Sequence, residues 1–528
     1  MKTTLHECLN LDIDLELTAC FGKPSQMQHG YLFGAAFDDD ELLSTHKLEN
    51  CLKQAIENRA LPELLARLNG FFSIIFFYQQ KLYLCVDKLR SKPLFYCQWQ
   101  GRLLVSDSAQ HLVTLHPELA DYDDLHVEEF RHTGYVTGAG TLLASIRQVP
   151  SCSYVEHDGH VIRQQHYFAL PVLGAADASQ PMHELELCLD ALLVRCIQRL
   201  LQYAGGRQIV LPLSGGYDSR ALALALKKSG YTNIFTFSFG RAGSPEVAKG
   251  EMVAKALGLA WTPIIYSRKD WRVFAGEQEF SRFLQFGHQY ASVPPVQVIL
   301  ALHQLRRMGV VQPDAVFVPG HTADFLSGGH RPILPSSVTE HECLEAACQA
   351  IIRSHYALSA ETLSQPLRAK LYSELAALMD QGQYQDAATL CEVWNFKERQ
   401  AKFIVNSNRY YDFYGYDWWM PFWDNEFIEY WQSVSAESRL NKQLWIHFIE
   451  QQMQVFSIGG PVSGNADVKT TKWSARLYRY SEYWTDLNLL YVLVPFKRWF
   501  FWRYGVSKKP GSLFGWLCEQ LLPPHRKH

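Results

Sequence analysis

The sequence predicts an α/β protein with two domains and a short C-terminal tail. The first ~165 residues contain short aromatic and β-branched runs separated by polar turns, which is typical of a β-rich domain. Between Gln208 and about Tyr266, strand and helix patterns alternate, which predicts a βαβαβ unit and a parallel sheet. From about Cys343 onward the patterns are mostly helical. We expect domains at residues 1–168 and 182–480, and an aromatic, basic helical tail at 481–528.

Apolar runs predict three strands in the N-terminal domain: Phe71–Tyr78, Leu82–Val86 and Leu103–Val105. A hairpin is expected where His157-Asp-Gly159 separates Ser153–Glu156 from His160–Ile162. The Gly-, Ala-, Ser- and Asp-rich stretch Leu173–Pro181 predicts a linker. The helix expected after it has one apolar face, formed by Leu185, Leu189, Leu192, Leu193 and Cys196.

Five alternating segments predict the parallel sheet of the second domain. They are the strand Ile209–Leu213, the helix Ala221–Ser229, the strand Ile234–Phe239, the helix Pro245–Leu257 and the strand Thr262–Ile265. Phosphate sites on such sheets lie at the carboxyl ends of strands. Ser214 directly follows the first strand, so its loop is a candidate phosphate site.

The composition is that of an ordinary globular protein. Of 528 residues, 48% are hydrophobic and 20% charged, and the formal net charge is −3, so nothing indicates nucleic-acid or membrane binding by the whole chain. The twelve cysteines lack CxxC pairs and metal-ligand spacing, which favours reduced thiols in a cytosolic protein. The N-terminus has no signal-peptide pattern, and no apolar run approaches the ~20 residues of a spanning helix.

The segment Leu211-Pro-Leu-Ser-Gly-Gly-Tyr-Asp-Ser-Arg220 joins a strand to a helix. Such a turn presents backbone N–H groups at a helix N-terminus, where phosphates bind. Gly215 and Gly216 let the backbone approach a ligand closely, and neighbouring serines add hydroxyl donors. Asp218 would repel a phosphate unless a cation lay between them, which points to a nucleotide pyrophosphate with Mg²⁺. An ordinary β–α turn is the alternative.

A second loop, Ala315–His330, has the same design. An apolar strand leads to Gly320, then to Asp324, and then to a pair of glycines. A second carboxylate at a second strand end could share Mg²⁺ with Asp218. The alternative is a β–α loop in which Asp324 caps the helix.

These two loops resemble those of the asparagine synthetase B family. The family's SGGxDS pattern is found at Ser214–Ser219, and its GxGADE pattern resembles Gly320–Phe325, which two glycines follow. Ser238-Phe-Gly240 and Ser244-Pro-Glu246 resemble the family's adenine-contacting segment, and Met420–Asp424 resembles its RxPFLD element near the substrate cleft. The family's glutaminase domain is similar, in order, to Leu68–Phe72, Asp87–Tyr96, Ser106-Asp107, Gly134-Tyr135 and Thr141-Leu142.

The resemblance implies an N-terminal Ntn-type αββα glutaminase-like domain. It also implies a C-terminal adenine-nucleotide α-hydrolase-like parallel sheet with a helical extension. ATP and Mg²⁺ are the implied cofactors, with Asp218 and Asp324 as catalytic residues and metal ligands. The implied nucleotide-binding residues are Leu213, Ser214, Gly215, Gly216, Asp218, Ser219, Ser238, Phe239, Gly240 and Gly320.

The N-terminal domain departs from the family at its nucleophile. Lys2 stands where the family's glutaminase has its cysteine, and the nearest thiols are Cys8 and Cys20. The family's glutamine-holding NGE loop also has no clear counterpart. We therefore predict a structural domain without glutaminase activity, with a processed Cys8 as the alternative.

The synthetase part departs from the family at three positions. Phe325 replaces the acidic residue after the second aspartate, Trp419 replaces the arginine of RxPFLD, and Arg220 stands where a small residue is usual. These changes argue against the expectation that aspartate is the substrate. By position, Lys469 and Lys472 are the candidates for the family's late lysine at the departing pyrophosphate, with Lys442 as the alternative.

The resemblance implies that a carboxylate substrate attacks the α-phosphorus of ATP, giving an acyl-adenylate and pyrophosphate. Ammonia or an amine then attacks the acyl carbon and releases AMP. Three interpretations stay open: asparagine synthesis or a close amidotransferase reaction, amide formation on a sugar acid or peptide in surface-polysaccharide or natural-product assembly, and a non-catalytic ATP-binding scaffold.

No nucleic-acid partner is expected, and a homodimer stays open. For the tail at Phe496–Tyr504, the favoured interpretation is a helix docked on the body of the protein. Contact with a membrane surface is the alternative, because tryptophans lie beside basic residues there.

Overall fold

The computed structural model describes residues 2–3, 12–174, 180–334, 339–359, 361–382, 384, 386–456, 458 and 521–522. Cys8, Lys469, Lys472 and the tail segment Phe496–Tyr504 lie outside these ranges, as do residues 175–179 of the predicted linker. Within the described ranges, no helix is both long and apolar enough to cross a membrane.

Two β-sheets form the N-terminal domain. Its strands are β1 (Lys2–Thr3), β2 (Ile13–Glu16), β3 (Ser25–Met27), β4 (Gly30–Asp38), β5 (Glu41–Leu42), β6 (Asn69–Tyr78), β7 (Lys81–Val86), β8 (Phe95–Trp99), β9 (Arg102–Ser106), β10 (Arg147–Gln148), β11 (Ser153–His157) and β12 (Ile162–His166). Its helices are α1 (Thr45–Glu57), α2 (Leu61–Arg67), α3 (Ala109–Leu115) and α4 (Asp124–Thr133). One sheet has the order β1-β2-β9-β8-β10, and the other has the order β12-β11-β7-β6-β4-β3, with β5 paired to β4.

The two sheets pack face to face between layers of helix. Successive residues of a strand point to opposite faces. Accordingly, Ile75 of β6 packs between the sheets, whereas its neighbour Ile74 packs against Leu48 and Leu64 of α1 and α2. Helix α3 covers the outer face of the five-stranded sheet through Leu112. This arrangement confirms the expected αββα domain.

The predicted N-terminal strands are present, with one change in the hairpin. The second strand begins at Ile162 rather than at His160. The carboxylate of Asp158 accepts hydrogen bonds from the N–H groups of His160 (3.1 Å) and Val161 (2.9 Å), which keeps both residues in the turn.

The C-terminal domain is built on a parallel sheet. Its strands are β13 (Ile209–Pro212), β14 (Ile234–Gly240), β15 (Ala260–Ile265), β16 (Val316–Phe317) and β17 (Asp417–Trp418). Its helices are α5 (Met182–Ala204), α6 (Tyr217–Lys228), α7 (Pro245–Leu257), α8 (Arg268–Ala275), α9 (Gln278–His288), α10 (Ile299–Met308), α11 (Glu340–His355), α12 (Gln365–Gly382), α13 (Ala387–Trp394), α14 (Arg409–Tyr414), α15 (Asn425–Gln432), α16 (Ala436–Arg439) and α17 (Gln443–Val455). Two π-helical segments, Phe325–Gly329 and Asn395–Ile404, interrupt the regular helices.

The sheet has the strand order β15-β14-β13-β16-β17, and each neighbouring pair is parallel. The predicted βαβαβ unit is therefore confirmed. Helix α6 begins at Tyr217, four residues earlier than the predicted Ala221. The Ser219 hydroxyl donates to the Gly216 carbonyl (3.2 Å) within this first turn. The early start places Asp218 in the first turn of the helix.

Aromatic and polar side chains join the two domains. Trp419 is buried, with ring centroids 4.8 Å from Phe71 and 5.7 Å from Phe37 of the N-terminal domain. The Asn69 amide donates to Asp424 (2.8 Å), which also accepts from Arg199 (2.9 Å). The domains therefore share buried contacts.

Candidate functional site

The candidate site lies where the strand order of the parallel sheet reverses. From β13 the chain continues to β14 and β15 on one side, whereas β16 and β17 lie on the other side. In open α/β sheets, ligands bind in the crevice outside the strand ends at such a switch point. The loop after β13 contains Ser214 to Gly216, and the loop after β16 contains Gly320 to Asp324. Both predicted loops therefore border one crevice.

The two loops touch at Gly320. A Cβ atom on this glycine would lie 3.1 Å from the backbone nitrogen of Ser219 and 3.4 Å from Cβ of Asp218. A larger residue would push the loops apart, because Cβ atoms in proteins rarely lie this close to other atoms. Gly320 thus permits the close approach that brings the two aspartates together.

Asp218 and Asp324 are held by different donors. The N–H of Asp324 donates to Oδ2 of Asp218 (3.2 Å), and the indole N–H of Trp445 donates to Oδ1 (2.8 Å). Asp324 makes no side-chain capping bond to the turn after it, so the alternative of a capping aspartate is wrong. Its Oδ2 instead lies 3.1 Å from Nε2 of His330.

The two carboxyl groups differ in their tendency to ionise. Burial and the charge of Asp324 raise the pKa of Asp218. Burial opposes ionisation of Asp324 as well, but His330, Lys442 and Arg399 outweigh it and hold its pKa well below the usual range. A divalent cation would favour ionisation of both groups, and carboxylate oxygens are the ligands that Mg²⁺ prefers. The donor set therefore fits the expected metal, whose binding here stays a prediction.

Each N–H of the first loop already has a partner. The Ser214 N–H donates to the Ser219 hydroxyl (3.1 Å), and the Gly216 N–H donates to the Ser214 hydroxyl (3.1 Å). The Gly215 N–H donates to Oε2 of Glu246 in α7 (2.6 Å). Of these three N–H groups, one therefore binds a carboxylate and two bind serine hydroxyls.

Arg220, in the helix that follows this loop, contacts the loop backbone. Its side chain is fully buried, its guanidinium donates to the Gly215 carbonyl, and it lies 5.0 Å from the Tyr217 ring centroid. Burial lowers the pKa of this arginine, although the charges of Tyr217, Glu246 and Glu450 oppose the shift. The unusual residue after the SGGxDS pattern therefore fixes the orientation of a loop peptide.

The second loop faces the segment from Asn395 to Asn408 through three polar contacts. They are His321 Nε2 to Ser407 Oγ (2.8 Å), Thr322 Oγ1 to Gln400 Oε1 (3.3 Å), and His330 Nδ1 to Arg399 Nη1 (3.5 Å). A guanidinium can only donate, so Nδ1 of His330 accepts and its Nε2 carries the proton donated to Asp324. π-Helical segments are frequent at functional sites, and Arg399 and Gln400 belong to the segment Asn395–Ile404.

The predicted adenine-binding residues lie at the end of β14. The Ser238 hydroxyl donates to the Leu213 carbonyl (2.6 Å) and accepts from the Trp261 indole (2.9 Å), so the protein itself uses it. Phe239 and Gly240 are half-buried at the strand end beside it. A nucleotide contact at these three residues stays a prediction.

Of the three candidates for the late lysine, Lys442 is the one within the described ranges. Its charge lowers the pKa of both Asp218 and Asp324. A Cβ on Gly329 would lie 2.9 Å from its Cδ. The predicted candidates Lys469 and Lys472 are outside the described ranges.

The structure places Trp419 in the domain interface, where its ring also lies 4.6 Å from that of Tyr203. Only 3% of its surface is exposed, so the residue that replaces the family's arginine packs in a core. The sequence around Trp419 did not indicate that this residue lies in the domain interface.

Sequence reasoning missed the contacts of Glu246, His330 and Trp445. Glu246 lies in a segment that was expected at adenine, and His330 closes the second loop. The sequence patterns do not reveal these partners. Glu246 and Trp445 contact residues that are distant in the chain, and the contact of His330 with Asp324 depends on the local helix geometry.

The geometry defines a two-domain α/β protein, with an αββα N-terminal domain joined to a C-terminal parallel sheet. The family model for asparagine synthase matches residues 189–473. The family model for the glutamine amidotransferase domain matches residues 43–168. The chain therefore belongs to the asparagine synthase family.

A curated relative is the probable glutamine-hydrolyzing asparagine synthetase of Acanthamoeba polyphaga mimivirus. It is 31% identical over 210 residues, which are 38% of this chain and 35% of the relative. The match thus spans about a third of the relative's length.

Two solved structures were also compared. The NH3-dependent NAD synthetase from Campylobacter jejuni, in complex with nitrate, has a TM-score of 0.23 and 12% identity, covering 42% of this chain and 95% of that chain. The glutamine phosphoribosylpyrophosphate amidotransferase from B. subtilis, complexed with ADP and GMP, has a TM-score of 0.17 and 10% identity, covering 71% and 78%. At these scores neither structure adds to the assignment.

Proposed function

We propose that this chain is an ATP-dependent amide-forming enzyme. A carboxylate substrate attacks the α-phosphorus of ATP, which releases pyrophosphate and leaves an acyl-adenylate. Ammonia or an amine then attacks the acyl carbon, and AMP leaves. The observation that carries the proposal is the pair of Asp218 and Asp324, joined by a 3.2 Å hydrogen bond beside a phosphate-type loop.

The protein's part in this reaction is mainly electrostatic. Asp218 and Asp324 would hold Mg²⁺, which when bound offsets negative charge on pyrophosphate. Backbone N–H groups at Ser214–Gly216 would orient the phosphates once phosphate oxygens replace their present acceptors, and Arg220 donates to the Gly215 carbonyl. The positive charge of Lys442 favours ionisation of both carboxylates.

The proposed nitrogen donor is ammonia or an amine rather than glutamine. Burial, followed by the negative charges of Asp107 and Asp412, raises the pKa of the Cys20 thiol far above its usual range. A thiol must ionise to act as a nucleophile, so Cys20 is a poor one at neutral pH. Comparing product formation from glutamine and from ammonium salts tests this point.

A larger acyl substrate, such as a sugar acid or a peptide, is the second candidate within the same reaction. Ile333 is 86% exposed and Leu440 is 44% exposed. Ile333 follows the second loop, and Leu440 is next to Arg439, whose carbonyl lies 2.5 Å from a Cβ placed on Gly328. Apolar groups at this rim favour a substrate larger than aspartate.

The test is pyrophosphate release with hydroxylamine trapping of the acyl-adenylate, over a panel of aspartate, uronic acids and short peptides. Asp218→Ala should abolish pyrophosphate release, because one of the two carboxylates is lost, and circular dichroism should show an intact fold. Release at a near wild-type rate would overturn the assignment. ATP binding without release for every substrate would favour a scaffold.

A further inference from the structure

Glu246 makes an unexpected contact with the phosphate-type loop. It lies in the first turn of α7, and its Oε2 accepts from the Gly215 N–H at 2.6 Å. The other loop N–H groups described above bind hydroxyls of the loop itself, so Glu246 is the anion supplied from another element. Carboxylate and phosphate oxygens both accept strongly from such donors.

The loop around this donor is restrained. The carbonyl of Gly215, which belongs to the peptide unit after the one that carries the donor N–H, accepts from the buried Arg220 guanidinium. A Cβ on Gly215 would lie 2.7 Å from Cδ of Lys249 and 2.9 Å from the Glu246 oxygens, so α7 packs directly on this residue.

The acceptor, in contrast, can move. Glu246 is half-buried, and its carboxylate is carried on a side chain with three rotatable bonds. The Gly215 N–H thus marks a position where an anion binds, and Glu246 occupies that position here.

We propose that Glu246 and a nucleotide phosphate compete for the Gly215 N–H, so that binding of the nucleotide displaces the glutamate. The inference rests on the proposed nucleotide site at this loop. Competition lowers the affinity for phosphate-bearing ligands, because the charged hydrogen bond to Glu246 has to be broken first.

Calorimetric titration of the full chain with ATP plus Mg²⁺, and separately with pyrophosphate plus Mg²⁺, tests the competition. Glu246→Ala removes the competitor, and we expect about tenfold tighter binding of both ligands. Glu246→Gln should give a smaller gain, because its neutral amide oxygen still accepts from Gly215.

Glu251→Gln is the matched control. It removes the same charge from α7, but Glu251 pairs with Lys255 at 2.6 Å on the exposed side, so the affinities should match the wild type. Thermal unfolding of each variant checks the fold.

Three outcomes separate the possibilities. Tighter binding in both Glu246 variants supports the competition. Equal or weaker binding, with a wild type that binds, overturns it and assigns Glu246 a structural role in the loop. Absence of binding by every protein, the wild type included, overturns the proposed nucleotide site itself.

Discussion

His330 joins Asp324 to Arg399 through its two ring nitrogens, at 3.1 Å and 3.5 Å. This chain of donors directs one oxygen of Asp324 toward the imidazole and leaves the other for a ligand. Trp445 and the Asp324 N–H orient Asp218 in a comparable way. The orientation of the two carboxylates therefore depends on the N–H donors that surround them.

Replacing His330 by alanine should raise the Mg²⁺ concentration needed for ATP binding about tenfold, since partners of metal ligands affect affinity on that scale. His330→Gln retains an N–H donor and should recover part of the loss. Calorimetric ATP titrations at a series of Mg²⁺ concentrations measure the effect. His447→Ala, which removes a half-exposed histidine paired with Glu186, is the control. An unchanged Mg²⁺ dependence in His330→Ala would contradict the prediction.

At the level of elements, hydrophobic periodicity predicted the strands and helices that carry the first loop. The apolar runs at β13 and β14 and the face of α5 with Leu185 and Leu189 are as expected. The early start of α6 was not predicted, because the motif residues before Ala221 have no apolar period. The π-helical segment Asn395–Ile404 has no sequence signal either.

The site was predictable in its main residues but not in its surroundings. Parallel strands end at one edge, so Asp218 and Asp324 were expected to be close. Glu246 contacts the loop from α7, and the charge of Lys442, more than two hundred residues further along the chain, lowers the pKa of Asp218. Such contacts depend on tertiary packing, which one sequence does not reveal.

Helices α4 and α12 meet through a buried charged cluster at the domain interface. Lys370 pairs with Glu129 (2.7 Å) and Glu374 (3.2 Å), and Glu374 accepts from the Thr137 hydroxyl (2.6 Å). Burial, opposed by Lys370 and reinforced by Glu129 and Glu398, raises the pKa of Glu374 to about 7. Its Oε2 is buried without a hydrogen-bond partner in the described part of the chain.

This cluster predicts a stability gain for Glu374→Gln that depends on pH. Because the folded state holds the proton more tightly than the unfolded state, wild-type stability falls as pH rises from about 4.5 to about 7. Glutamine cannot ionise, so the variant should be about 1–3 kcal/mol more stable at pH 8 and close to wild type at pH 5. Urea unfolding at both pH values measures this, with Glu345→Gln as a surface control. A gain that is equal at both pH values would contradict it.

At the scale of the whole molecule, the domains should unfold together. Trp419→Ala would leave a cavity between Phe37, Phe71 and Tyr203, at a cost of about 3–5 kcal/mol. We expect one urea transition, shifted equally when followed by far-UV circular dichroism and by fluorescence. Two separate transitions, of which only one shifts, would show that the domains are independent.

The contacts of Asn69 and Trp419 across the interface also bear on inheritance. Selection for the C-terminal domain alone would therefore act on the N-terminal domain as well. A gene deletion removing it would expose Trp419 and leave Asp424 with one fewer donor. We expect mutational drift in the N-terminal domain to be opposed at the positions that contact these residues and tolerated elsewhere on its surface.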